Sequence, residues 1–137
     1  MYRKIMVPID LAHAGSLDKA IDTASDLAKH YGIPIRFVGV TAETPTEVAH
    51  TPEEFSDKLA KFAAAEAEKH GLEIDSKAYP SHDPTVDLDN TLLTAADEIG
   101  ADLIVVGSHI PGFREHIFAS HAGALASHAE VSVFVVR

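Results

Sequence analysis

Ala101-Asp102-Leu103-Ile104-Val105-Val106-Gly107-Ser108-His109-Ile110-Pro111-Gly112 is the stretch on which the reading of the fold turns. It is a buried strand running into a glycine-containing loop. The chain then continues through Phe118-Ala119-Ser120-His121 to Val131-Ser132-Val133-Phe134-Val135-Val136, a helix start with a free hydroxyl followed by a final strand. Backbone N–H groups at such a helix start are unpaired and sit at the positive end of the helix dipole, so they can hold an anion.

Working outward, the rest of the chain repeats the alternation of strand and helix. Lys4 to Ile9 is a short apolar run ending in Pro8-Ile9-Asp10 and predicts a buried strand. Ser16 is expected to cap a helix whose apolar positions Leu17, Ala20, Ile21, Ala24, Leu27, Ala28 and Tyr31 share one face, with Gly32 as its stop. Ile33 to Thr41 predicts a second strand and Ala42 to His50 a loop. Thr51-Pro52-Glu53-Glu54 has the hydroxyl, the proline and the glutamate of a helix start. Phe55, Leu59, Phe62, Ala63 and Ala67 form that helix's apolar face, and His70-Gly71 ends it. Leu72 to Tyr79 alternates as a sheet-edge strand does, and a helix from about Val86 to Ile99 turns Leu88, Leu92, Leu93 and Ala96 inward. Leu103 to Val106, the most apolar strand, is expected at the centre. A last helix over about Ser120 to His128 and a strand over Val131 to Val136 close the chain.

This order predicts an α/β fold: an open five-stranded, mostly parallel, Rossmann-like sheet with right-handed crossovers and helices on both faces. At 137 residues, with no linker or repeat, the chain is read as one domain spanning residues 1–137. Charged residues make up 23% and apolar residues 46%, which argues for a globular core over disorder. No apolar run reaches the roughly 20 residues that span a bilayer, and the first residues meet Pro8 and Asp10 too soon for a signal peptide. The expectation is a cytoplasmic protein without a membrane partner. With no cysteine, disulfides, thiolate metal sites and thiol nucleophiles are excluded. A net charge of −10 with no Lys/Arg cluster argues against nucleic acid. It also repels phosphates, so a phosphate ligand needs backbone donors and a counter-cation, for which Mg2+ is the candidate.

In open sheets of this kind, ligands sit beyond the carboxyl ends of the strands where the strand order reverses. If the first and fourth strands are neighbours there, Asp10 and Gly107 face one crevice. Asp10 can then accept from a ribose hydroxyl or an adenine amino group, and Gly107 lets a ligand approach the backbone. The alternative stays open: Asp10 caps a turn and Gly107 merely ends a strand.

Met6-Val7-Pro8-Ile9-Asp10, Gly100-Ala101-Asp102-Leu103-Ile104-Val105-Val106-Gly107-Ser108 and the ending His128-Ala129 with Val133-Phe134-Val135-Val136-Arg137 together resemble the universal stress protein (UspA) family. The likeness runs over essentially the whole chain, and Ser108-His109-Ile110-Pro111 is closest to the subgroup with a Ser-His-x-Pro loop. The resemblance implies an adenine-nucleotide α-hydrolase-like fold, usually dimeric, with ATP or AMP bound in some members and no established turnover. It places Gly107 first in a Gly-x-x-Gly, nine residues, Gly-Ser/Thr pattern and Ser120 last. Pro8 and Asp10 fall in the adenine and ribose region, with Val40 beside the base and Val106 packing on the other side. This chain departs from the pattern at Ile110, where a glycine is expected, at Ala119 before Ser120, and in a spacing one residue shorter. Gly112 is the candidate substitute for the missing loop glycine. His109, His116 and His121, with Arg114, are the candidates to counter phosphate charge. Ile110 and Ala119 also support a second reading, a nucleotide-free dimeric interaction module with a degenerate phosphate loop.

Other chemistries fare worse. The histidines lack the tight spacing with an acidic partner that a zinc site needs. His30 and His70 read as helix-end residues complementing the dipole. There is no Gly-x-Ser-x-Gly elbow, so no catalytic residues are assigned and an enzyme is not expected. Val131 to Val136 would be an aggregation-prone edge if left open, and pairing it with a second copy, as the resemblance also implies, makes a homodimer.

Overall fold

The computed structural model of the chain describes residues 1–107, Gly123 and 125–137, apart from the side chain of Thr85. Its elements are β1 (Ile5–Pro8), α1 (Asp18–Tyr31), β2 (Ile35–Ala42), α2 (Pro52–His70), β3 (Ile74–Ser81), α3 (Pro84–Ile99), β4 (Leu103–Gly107) and β5 (Ser132–Val136), with a 3-10 segment at Leu11–Leu17 and a further helical stretch over residues 125–128. The five strands lie in the order β3-β2-β1-β4-β5. Every neighbouring pair is parallel. The middle place therefore belongs to β1. The expectation that the Leu103 strand is central is corrected to an interior position beside it, where all five residues of β4 are buried.

Alternation along the strands divides the core into two layers. Ile5, Val7, Ile35, Phe37, Leu103 and Val105 face α1 and α2, meeting Leu17 at the end of the 3-10 segment, Ile21 and Ala24 of α1, and Phe55, Leu59 and Ala63 of α2. Met6, Val38, Ile104 and Val106 face the other way, onto Leu92, Ala95, Ala96 and Ile99 of α3 and onto Leu125. Helices thus cover both faces of the sheet, as the strand–helix alternation requires.

One device closes each of the first three helices. Gly32, Gly71 and Gly100 sit at φ of 66°, 65° and 73°, a left-handed conformation that glycine adopts without a Cβ clash. The residue after each donates its N–H back to the helix, Ile33 to Ala28, Leu72 to Ala67 and Ala101 to Ala96. Ile33 and Leu72 therefore belong to the helix closure. This is why β2 and β3 begin at Ile35 and Ile74, two residues later than their apolar runs suggest.

Helix starts follow the sequence at Thr51 and correct it in the other two cases. Thr51 accepts the Glu54 N–H at 3.1 Å, and Glu54 reaches back to the His50 N–H at 3.0 Å. Asp83 caps α3 by accepting from Val86 N–H, and Pro84 occupies its first turn, so the helix begins two residues before Val86. Ser16 is not a cap: α1 starts at Asp18, and Leu17 before it makes no capping bond. The capping role falls on Asp10, at the head of the 3-10 segment.

Candidate functional site

The crevice of interest lies where the strand order reverses, between β1 and β4. These strands pair at Ile5 with Leu103 and Met6 with Ile104, and the ladder goes no further. Pro8 supplies the reason. Ile5 and Ile9 donate their N–H groups toward the β2 side, to Pro34 and Val38. Successive amides of a strand alternate in direction, so the amide position of Pro8 faces β4, and proline has no N–H to offer there. The hydrogen-bonded ladder between the two strands therefore stops short of Pro8, toward their carboxyl ends.

Register places the apolar residues of the site. Pro8 pairs with Val38, and the Met6–Ile104 pairing brings Val106 level with Pro8 on the opposite flank. Val40 stands one step further toward the carboxyl end of β2, opposite Tyr79 of β3. Val38 and Val106 are buried and Val40 packs on the same layer, the one covered by α3. The top of that layer is an apolar platform with Pro8 between the two flanking strands.

Asp10 follows directly on β1. Its Oδ1 accepts the Ala12 N–H at 3.1 Å and its Oδ2 lies 3.0 Å from His13 Nδ1. The carboxylate is about a third exposed, with 37% of the side-chain surface open. The turn-capping alternative is thus present in the structure. It does not exhaust the group, because a carboxylate has about four lone-pair positions and, among the described residues, each oxygen has one partner. Sequence reasoning missed His13; the Asp-x-x-His spacing, which returns the ring to the carboxylate across one turn, was the available signal.

Gly107 ends β4 on the α1 face. A Cβ there would lie 3.3 Å from Leu17 Cδ2 and 3.5 Å from Ala20 Cβ. A side chain there would press on Leu17 and touch Ala20, which bears on the second alternative left open by the sequence. His109, Gly112, Ser120 and His121, with Ser108, Ile110, Arg114, His116 and Ala119, lie outside the described residues.

The candidate residues that are described, Pro8, Asp10, Val40, Val106 and Gly107, therefore come from three adjacent strand ends and their exits. An apolar shelf beside a carboxylate with acceptor capacity suits the nucleoside end of a nucleotide: a planar base on the shelf, hydroxyl or amino donors on the acid. The helix-end histidines lie on other surfaces. His30 meets Tyr31 edge-on, with ring centroids 4.8 Å apart. His70 Nε2 lies 3.2 Å from Glu66 and 3.5 Å from Asp22 in α1, so its ring sits between two helices.

The whole chain, residues 1–137, matches the model of the universal stress protein family. The chain belongs to that family. Universal stress protein G of Shigella flexneri is 27% identical over 143 aligned positions that cover all of both chains. A universal stress protein family structure from Burkholderia pseudomallei superposes with a TM-score of 0.72 at 25% identity, covering 98% of this chain and 96% of that one. The universal stress protein of Archaeoglobus fulgidus in complex with dAMP gives a TM-score of 0.70 at 20% identity, covering 99% and 98%. The universal stress protein resemblance read from the separated motifs is borne out, and so is the open parallel α/β fold that it implied.

Proposed function

We propose that this universal stress protein binds an adenine nucleotide, ATP or AMP, at the carboxyl-end crevice between β1 and β4. It acts in the cytoplasm as a sensor or adaptor, passing on the bound state through a partner or a conformational change and carrying out no turnover. The observation that carries the reading is the end of the β1–β4 ladder before Pro8, at the point where the strand order reverses, next to the Val40–Val106 platform and the acceptor Asp10. The dAMP complex of the Archaeoglobus protein, built on the same fold, supports the same ligand class. His109, Gly112, Ser120 and His121 are assigned to the phosphates, with Mg2+ as counter-cation to an acidic chain. Calorimetric titration with ATP, ADP and AMP, with and without magnesium, tests this. Saturable binding that Asp10→Ala weakens is expected, and no binding at millimolar nucleotide would refute it.

The protein is proposed to work as a homodimer through β5. That strand has β4 on one side, lies at the sheet edge, and carries Phe134 at 45% exposure. Adding a second copy of the strand extends the sheet and covers the ring.

Ile110 and Ala119 favour a second reading, in which the dimer is an interaction module that takes no nucleotide. A Cβ at residue 119 would then be the obstacle, and Ala119→Gly should create binding where the parent has none.

A further inference from the structure

Of the two contacts that Asp10 makes among the described residues, one is enough to cap the turn that follows it. The bond from Ala12 N–H to Oδ1 satisfies a free donor at the head of the 3-10 segment, as caps do. The second contact, His13 Nδ1 to Oδ2, satisfies no backbone group. What it does is stop the carboxylate from rotating, since both oxygens are now tied to one turn.

The backbone is shaped for that contact. His13 interrupts the 3-10 segment with φ −131° and ψ 33°, values outside the helical region, while its N–H still donates to the Asp10 carbonyl at 3.0 Å. The ring is thereby brought back over the acid it follows by three residues. Both side chains follow the carboxyl end of β1 and are partly exposed, at 28% for His13 and 37% for Asp10, so the pair contributes little to the core.

We infer that His13 is a positioning residue for the nucleoside: it presents the Asp10 carboxylate in one orientation and carries its neutral-state proton on Nδ1. The inference rests on the binding proposed above. A carboxylate only accepts, so the ring nitrogen facing it bears hydrogen, whether the imidazole is neutral or charged. An acceptor fixed before the ligand arrives loses no rotational freedom on binding, which improves affinity without adding a contact.

Two measurements test it on the full chain. Imidazole 15N spectra of the ligand-free protein, taken where His13 is neutral, should show the proton on Nδ1, and Asp10→Ala should move it to Nε2. In calorimetry with ATP and AMP, His13→Ala should weaken binding about tenfold, the scale of one lost hydrogen bond to a charged group, with an unchanged melting temperature. His13→Asn, whose amide N–H2 takes the place of Nδ1–H, should restore most of the affinity. An Nε2–H tautomer, wild-type binding by His13→Ala, or failure of the asparagine to rescue in a protein that binds nucleotide would each overturn the role of His13. Absence of binding in the wild type refutes the proposed function first; His13 would then only brace its own turn, which overturns the inference as well.

Discussion

The carboxylate of Asp102 accepts the backbone N–H of Arg3 through both oxygens, each at 3.0 Å, and takes the Lys4 N–H at 3.2 Å. Asp102 returns its own N–H to the Lys4 carbonyl at 3.2 Å. One acidic side chain therefore fastens the entry to β1 against the entry to β4, at the end of the sheet opposite the crevice. Partial burial pushes its carboxyl up, but the Arg3 and Lys4 N–H groups outweigh that and hold it below the usual carboxylate range. A carboxyl depressed in the folded state adds stability that is present above its unfolded pKa and is lost as pH falls through its folded pKa. Asp102→Asn should destabilise the protein by about 1 kcal/mol at pH 7, below the usual range for charged hydrogen bonds because water screens this partly exposed group. Urea midpoints of the two proteins should converge as the pH drops below the folded pKa of Asp102.

Gly39 in β2 faces Phe55 of α2. A Cβ there would stand 2.7 Å from Phe55 Cε1, 2.9 Å from Cζ and 3.1 Å from Leu59 Cδ2. Gly39→Ala is expected to cost about 1–3 kcal/mol, as other forced insertions into a packed core do. Phe55→Leu, which removes the crowded ring, should cost less in that background than in the wild type. A double-mutant cycle by chemical denaturation reads the difference.

Gly107→Ala separates packing from ligand approach. The nearest atom, Leu17 Cδ2, is the tip of a side chain that can shift, so the loss of stability should stay below about 1 kcal/mol. If ligand approach is what the glycine serves, nucleotide affinity falls far more than the melting temperature does. Parallel calorimetry and thermal unfolding decide between the two uses.

Phe134→Glu places a charge on the exposed side of the β5 edge, where it should cost the monomer little. In the proposed dimer it brings two like charges together. Sedimentation equilibrium should show a dimer for the wild type and monomers for the variant, and a dimer in both would place the interface elsewhere.

Much of the architecture was legible because local chemistry and tertiary position agree. Thr51, Gly32 and Gly71 act where their residue types predict, and the apolar periods of α1 and α2 match the buried faces. Errors arose where one residue type serves two ends. Ile33 and Leu72 look like the first residues of strands but close helices, and the hydroxyl of Ser16 looks like a cap where Asp10 has already begun the turn. At the site, Pro8 and Asp10 were visible as a motif. The direction of the Pro8 amide, the return of His13 onto Asp10 and the seating of Gly107 on Leu17 were not, because each depends on backbone geometry that pattern alone does not encode.

The left-handed closures at residues 32, 71 and 100 have a consequence for how such a chain can vary. Each is followed by a strand at residue 35, 74 or 103, so the connections at that pole share one length and one conformation. Insertion there would break the bond that closes a helix and displace the strand that begins two residues later. The opposite pole carries the exits of β1, β2 and β3, whose lengths differ and whose turns are held by side chains such as Asp10, Thr51 and Asp83. New recognition loops can therefore be grafted onto one end of the molecule while the other serves as its chassis.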